Sequence, residues 1–436
     1  MTQEKINELY DKLLRSAGVC IDTRSLIKNS IFFSLKGENF NGNNYALDAI
    51  KNGASFSVVD DKKLRDKSDK FIYVEDVLVA LQELAKVHRK RLDIPVVGIT
   101  GSNGKTTTKN LIEVALKSKY NVYATKGNLN NHIGVPLSVL EINNAHEIAV
   151  IEMGASSVGE IGLLCEIAKP TLGIITNISN AHIKGFKNFE GVVRGKSELF
   201  DFLLKNEGNV FINNNDRVLK NFSKRFSDPI EVHGEKSIVK TKLIQSEPSI
   251  KFSIEKGIEY SVNLFGDYNY ENIVMAISVA KFLGVREESS CQGISNFIPS
   301  ANRSEKLFIN TNCIVMDAYN ANPTSMKKAI NSIVQFSNKK KIMVLGDMNE
   351  LGDSSTQEHQ KIGKIISKLN VDSCYFIGKK MKDAHLLNKN SFWFDTRKEL
   401  KEALLCIKIE DSDILIKGSR SLELEKLLPV IKKISA

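Results

Sequence analysis

The segment IPVVGITGSNGKTTT (94–108) constrains the fold of this chain more than any other. An apolar run that reads as a buried strand enters a turn holding Gly101 and Gly104, and Lys105, Thr106 and Thr107 then open a helix. Glycines in such a turn permit backbone conformations that aim N–H groups at phosphate oxygens, here those of Gly101, Ser102, Asn103 and Gly104. The helix N-terminus adds its partial positive charge. Lys105 is then placed to neutralise the β- and γ-phosphates of ATP, and Thr106 to offer a hydroxyl to Mg2+, with Thr107 beside it. The general phosphate-loop pattern has glycine five residues before Gly104, where this chain has Ile99, so the loop is of the shorter TGSNGKTT form.

A strand feeding such a loop calls for parallel neighbours covered on both faces, and the flanking sequence supplies them. Short apolar runs (IPVVGIT, YNVYAT, EIAVIEM, TLGIITNI, GNVFIN) alternate with helical stretches across 94–213. Residues 238–265 alternate in period two and predict antiparallel strands, and a helix over 269–284 follows. From Ser300 a second strand–helix rhythm begins (CIVMDA, KIMVLGDM, SCYFIG, SFWF, DILIKG), predicting a Rossmann-like sheet. Before residue 91 the chain opens on an amphipathic helix, with strands predicted at 31–37 and 55–60 and a helix at 44–53. The expected fold is therefore α/β in three domains: a small N-terminal α/β domain (1–91), a central P-loop-type domain with a mostly parallel sheet (92–299), and a Rossmann-like C-terminal domain (300–436). A length of 436 residues suits three domains.

Composition narrows the function classes. The formal charge is +10, but lysine is spread along the chain and the longest basic run is Lys339-Lys340-Lys341, so no nucleic-acid platform is expected. The six cysteines form no CxxC pair, which argues against a zinc ribbon or redox motif. The polar N-terminus lacks the apolar core of a signal peptide and no run approaches a membrane span, so no membrane insertion and a cytoplasmic location are expected.

Two further residues stand at strand ends where ligands of such sheets bind. Glu152 closes EIAVIEM and is a candidate Mg2+ ligand; His182 lies in NISNAHI, just after TLGIITNI.

With TGSNGKTT (100–107), the segments GNLNNHIGVP (127–136), EMGASSVGEI (152–161), TNISNAHI (176–183), GKSELF (195–200), GDYNYEN (266–272), SANRSE (300–305) and DAYNANPTSM (317–326) make the chain resemble the Mur ligase family, ATP-dependent amide-forming enzymes of peptidoglycan synthesis. DTRSLIKNSIFFSLKGENFNGNNY (22–45), DAYNANPTSM, GDMNELG (346–352) and KGSR (417–420) resemble the branch whose substrates are UDP-N-acetylmuramoyl-tripeptide and D-alanyl-D-alanine. The resemblance implies an acyl-phosphate route with ATP and Mg2+. It implies catalytic roles for Lys105, His182, Lys196 and Arg303, and metal binding by Thr106, Glu152, His182 and a carbamylated Lys196. Asn272 and Asn320 would face adenine, Asp317 the ribose and Arg303 the γ-phosphate. Thr23, Arg24, Lys36 and Gly37 would lie near the uridine diphosphate, and Asn130 and Asn131 near the reacting carboxylate. A monomer is expected. Gly195 stands where alanine is common in the family, and Tyr268 where histidine is.

Rival readings are a sister ligase adding a single amino acid, a nucleotide-dependent switch and a nucleic-acid motor. A switch needs neither a carbamylatable lysine nor a nucleotide-sugar domain, and a motor needs clustered basic charge.

Overall fold

The structure is a computed structural model that describes residues 2–388 and 390–435. Three α/β domains follow one another. The N-terminal sheet is parallel, ordered Val19–Cys20, Ile31–Phe33, Phe56–Val59, Phe71–Tyr73. The opening helix Gln3–Leu14 buries Ile6, Leu9, Tyr10 and Leu13, the stripe its 3.6-residue periodicity demands, and Thr2 caps it by accepting from the Lys5 N–H. The strand expected over 31–37 is instead two pieces. After Phe33 the Leu35 N–H turns back to the Phe33 carbonyl, and Lys36–Gly37 leaves the sheet to pair with Phe40–Asn41. Leu35 is buried, so the bend lets it join the core and sends Lys36 outward.

The central sheet has six parallel strands in the order Ile230–Val232, Asn209–Asn213, Leu172–Ile175, Val96–Thr100, Ile148–Glu152, Val122–Ala124. Alternate side chains of Val96–Thr100 go to opposite layers. Val97 and Ile99 pack with helices Lys105–Leu116, Tyr268–Phe282 and Glu287–Ser295; Val96 packs with helices Gly134–Leu140, Glu160–Ala168 and Phe189–Lys205. Full coverage explains why these strands are continuous apolar runs. The edge strand Ile230–Val232 was not expected from sequence: three residues are too few to show a period. The antiparallel strands expected within 238–265 are present as Thr241–Gln245, Ile250–Ile254 and Glu259–Val262.

The C-terminal sheet runs Glu305–Ile309, Asn312–Asp317, Ser412–Lys417, Lys340–Gly346, Ser373–Ile377, Ser391–Phe394, parallel except for its first strand. That antiparallel edge strand escapes a reading that looks only for strand–helix alternation. The strand order reverses direction beside Asn312–Asp317, which puts a crevice at the C-terminal ends of Asn312–Asp317 and Ser412–Lys417.

The polar stretch His88-Arg89-Lys90-Arg91 between the first two domains is not a solvated linker. Arg89 is 7% exposed. Its guanidinium donates to the carbonyls of Ala168 (2.8 Å), Leu92 (2.7 Å), Lys169 (3.2 Å) and Ile94 (3.3 Å). Two of these lie at the C-terminal end of Glu160–Ala168, where carbonyls lack partners inside the helix. Beside it, the His88 ring bonds the Ile142 carbonyl through Nε2 at 2.7 Å and the Tyr10 hydroxyl through Nδ1 at 3.1 Å.

Candidate active site

The central and C-terminal domains enclose a cavity of about 370 Å³, within the range of small-molecule sites. Its floor is the phosphate loop. Gly101 has φ +144°, and a Cβ there would stand 1.9 Å from the Thr176 hydroxyl oxygen, so only glycine fits. The loop is braced from the next strand: the Asn103 N–H donates to Asn177 Oδ1 (3.1 Å), the Thr176 hydroxyl to the Asn103 carbonyl (2.6 Å) and the Ser102 hydroxyl to the Ser179 carbonyl (3.0 Å). Gly104, at φ +80°, precedes the helix Lys105–Leu116, whose N-terminus faces the cavity. The Lys105 ammonium donates to the Gly101 carbonyl at 2.7 Å. Burial lowers its pKa, with Glu152 opposing and Arg303 adding to the shift.

Glu152 is 2% exposed and its carboxylate is held on both oxygens: Oε2 accepts from the Thr106 hydroxyl and Oε1 from Asn130 Nδ2, each at 2.8 Å. A buried carboxylate touching a phosphate-loop threonine is a hard, anionic oxygen pair suited to Mg2+. Lys196, 1% exposed, donates to the Ala155 carbonyl at 3.1 Å and lies 5.2 Å from the Phe186 ring centroid. Burial foremost, then the nearby Lys105 charge, pushes its pKa down to about 7.

The opposite wall comes from the C-terminal domain. Asp317 and Lys417 are partners in adjacent parallel strands and end at the cavity, where the Lys417 ammonium donates to Asp317 Oδ2 at 2.5 Å and to the Asn320 carbonyl at 3.2 Å. Asp317 Oδ1 accepts the Ser304 N–H. The Arg303 guanidinium lies 3.5 Å from the Tyr319 ring centroid and also faces the cavity. Direct bridges join the walls, and two of them reach site residues. Asn322 Nδ2 donates to Asn103 Oδ1 in the phosphate loop at 2.7 Å, and the Glu350 carboxylate contacts His182 Nδ1.

The Mur ligase middle domain family matches residues 99–280, and the Mur ligase glutamate ligase domain family matches residues 302–420. The UDP-N-acetylmuramoyl-tripeptide–D-alanyl-D-alanine ligase of Bacillus subtilis (strain 168) is 35% identical over 94% of this chain and 92% of its own length. The chain belongs to the Mur ligase family. The Borreliella burgdorferi enzyme of the same name is 32% identical, covering 94% of this chain and 93% of that one. Among solved structures, MurF from Acinetobacter baumannii superposes with a TM-score of 0.87 at 27% identity, covering 99% of this chain and 98% of that one. MurF ligase from Thermotoga maritima in complex with ADP gives 0.85 at 26% identity, covering 97% and 98%.

In this Mur ligase the cavity gathers Ser102, Asn103, Gly104, Lys105, Thr106, Thr107, Asn130, Asn131, Glu152, His182, Asn272, Arg303, Asp317 and Asn320. Lys196 sits just behind the wall, bonded to Ala155, which lines it. Asn272 backs the loop: its Oδ1 accepts from the Thr108 hydroxyl, its Nδ2 donates to Asn269 Oδ1, and a Cβ on Gly104 would stand 2.9 Å from it. Asn131 Oδ1 accepts the N–H groups of Ile133 and Gly134, so it also shapes the entry to a helix. Thr23, Arg24, Lys36 and Gly37 do not line the cavity; they lie on the N-terminal domain, with Arg24 paired to Asp22 and Lys36 to Asp60. Residues at the cleft not singled out from sequence include Asn322, Lys328, Glu350 and Lys417. Asn322, Glu350 and Lys417 fall inside DAYNANPTSM, GDMNELG and KGSR, so the motifs flagged the segments but not which side chain in each turns to the cavity.

Proposed function

We propose that this chain adds D-alanyl-D-alanine to UDP-N-acetylmuramoyl-tripeptide, at the expense of ATP, through an acyl phosphate in peptidoglycan precursor synthesis. The observation that carries the reading is the convergence of a phosphate loop, a buried carboxylate and C-terminal cations in one cleft, in a chain similar over nearly its whole length to ligases of that name. A terminal carboxylate oxygen of the tripeptide takes the γ-phosphoryl group; the bond to ADP breaks and an acyl phosphate forms. The neutral amine of the dipeptide attacks the acyl carbon, the C–N bond forms, phosphate departs with its electron pair, and the amine proton passes to solvent.

The first step brings two anions together, so its barrier is electrostatic. Lys105 and Arg303, facing each other across the cleft, supply positive charge to the phosphoryl group in transit. The N–H groups of Gly104 to Thr106 are proposed to orient the phosphates, because those of Ser102 and Asn103, expected from sequence to do so, are spent on the Asn177 carbonyl and side-chain oxygens. Asp317 is the proposed acceptor for the ribose hydroxyls, with Asn272 and Asn320 beside the adenine. Thr106 and Glu152 are the donors proposed for magnesium, which when bound offsets phosphate charge; His182 and a carbamylated Lys196 complete the proposed set. With its pKa near 7, Lys196 carries a neutral amine in a sizeable fraction of molecules at neutral pH. That nitrogen can add to carbon dioxide and lose a proton, turning a cation into an anionic oxygen ligand. Asn130 and Asn131 are placed to meet the tripeptide carboxylate. Thr23, Arg24, Lys36 and Gly37 are proposed to hold the uridine diphosphate, so that an extended substrate runs from the N-terminal domain to the phosphate loop. The proposed domains are 1–91, 92–299 and 300–436.

No helix among the described residues is long and apolar enough to cross a membrane, and the proposed setting is the cytoplasm, with the chain acting as a monomer. Phosphate release from ATP tests the reading. Release that requires both the tripeptide nucleotide and D-alanyl-D-alanine, with product mass raised by one dipeptide residue, is expected. Release with a single amino acid instead would move the chain to a sister ligase, and release independent of both substrates would overturn ligation.

A further inference from the structure

The contact between Glu350 and His182 joins two domains at two strained points. His182 has φ +55° and Glu350 φ +64°, left-handed conformations that cost a non-glycine residue about 1 kcal/mol or more and persist where the surroundings hold them. The Glu350 side chain meets His182 Nδ1, and the Glu350 backbone carbonyl accepts the Lys184 N–H at 3.3 Å. One C-terminal residue therefore grips the 182–184 segment through side chain and main chain together. That segment opens the four-residue helix Ile183–Phe186. At its far end Phe186 packs so tightly on the helix Phe189–Lys205 that a Cβ at Gly195 would lie 2.4 Å from its ring, and the same ring faces the Lys196 ammonium.

We infer that Glu350 is a positioning residue: from the C-terminal domain it fixes the His182 ring in the cleft and, through Ile183–Phe186, seats Phe186 against Lys196. With Nδ1 engaged by the carboxylate, Nε2 is the ring nitrogen left for the cavity His182 lines. The pair cannot be explained as a stability device. The Glu350 side chain is 55% exposed, and an ion pair at such a rim contributes about 1 kcal/mol or less. Its consequence is that the phosphoryl-transfer site is completed only while the C-terminal domain sits on the central one. This ties assembly of the site to domain closure.

The kinetic part of the inference rests on the ligase reading, so its test has an arm that does not. In the full-length protein, Glu350→Ala is compared with Glu350→Gln, His182→Ala and the double variant. Amide hydrogen exchange is the first measurement: Glu350→Ala is expected to speed exchange at 183–187 at least tenfold, with the strand Val96–Thr100 and the melting temperature unchanged. In the ligation assay, kcat is expected to fall at least tenfold with KM for ATP within threefold. Glu350→Gln should recover most of the loss, and Glu350→Ala should add less than threefold to His182→Ala. Unaltered exchange at 183–187, a kcat within threefold of the parent, or penalties that multiply in the double variant would each overturn the inference. If the parent itself shows no dipeptide-dependent ligation, the proposed function fails while the exchange arm still decides the role of Glu350.

Discussion

A Cβ at Gly101 would overlap the Thr176 hydroxyl, and the backbone there is of a kind side chains rarely adopt. Gly101→Ala is therefore expected to displace the loop and lower kcat/KM for ATP by about 100-fold or more, since misplacement of reacting groups by an ångström costs that much; steady-state kinetics at saturating second substrate checks this. Gly195 is another glycine with a steric reason: a Cβ there would lie 2.4 Å from the Phe186 ring. Glu247 shows how burial tunes a residue away from the cleft. Its Oε1 accepts the Gly266 N–H at 3.1 Å while Oε2 is buried without a hydrogen-bond partner among the described residues. Burial, helped by Asp267 and Asp413 and opposed by that N–H and by Lys306, pushes its pKa up to about 8 from an ordinary 4.5. The folded state then holds this proton more tightly than the unfolded chain, so the contribution is full below pH 4.5 and is lost as pH rises through about 8. Glu247→Gln should melt with the parent near the acid end of that window and above it at the alkaline end; melting curves across the range check it, and parallel curves would contradict the assignment.

At the scale of elements, the helix Val77–Arg89 is tied to the helix Glu160–Ala168 by the Arg89 guanidinium, which satisfies carbonyls that the second helix leaves open. Arg89→Ala should cost roughly 2–4 kcal/mol of unfolding free energy, because several buried acceptors lose their donor at once. Urea denaturation measures the loss. Activity at saturating substrate should survive, since Arg89 does not reach the cleft. Asn322 has two roles: it caps the helix Pro323–Gln335 with a capping box to Ser325, and its Nδ2 holds Asn103 of the phosphate loop. Asn322→Asp keeps the cap but turns the amide donor into an acceptor facing the Asn103 side-chain Oδ1. It should raise KM for ATP about tenfold, by loss of one hydrogen bond and gain of a repulsion, while leaving the melting temperature within a few degrees.

For the whole molecule, the cleft exists because the C-terminal domain is seated on the central one, with Arg303 in the turn at 300–304, Asp317 beyond it and the phosphate loop before it. The polar bridges across the cleft, Asn322–Asn103 and Glu350–His182 among them, are single hydrogen bonds or ion pairs that can be broken and remade, which suits hinge closure. Small-angle scattering should show the radius of gyration falling when an ATP analogue and the tripeptide nucleotide are added together; an unchanged value would mean that the domains are already locked. By contrast, the Arg89 and His88 contacts hold the N-terminal domain firmly, so the movement is expected on the C-terminal side.

The sequence by itself determined the phosphate loop, the parallel order implied by continuous apolar strands, and the three-part division, because these follow from local rules: glycine geometry, side-chain period and strand–helix alternation. It also marked Glu152 and His182, each at or just after a strand end where such sheets present ligands, while Asp317 came only from the resemblance to the family. Short elements escaped it. The edge strands Ile230–Val232 and Glu305–Ile309 have too few residues, or the wrong direction, to register in a period, and the bend after Phe33 depends on Leu35 finding the core. Only the tertiary structure decided that Glu350 reaches His182, that Asn322 reaches Asn103, and that Arg89 is buried rather than solvated. In each pair the partners lie far apart along the chain and meet through the packing of separate domains, and no local pattern of residue types encodes a contact of that kind.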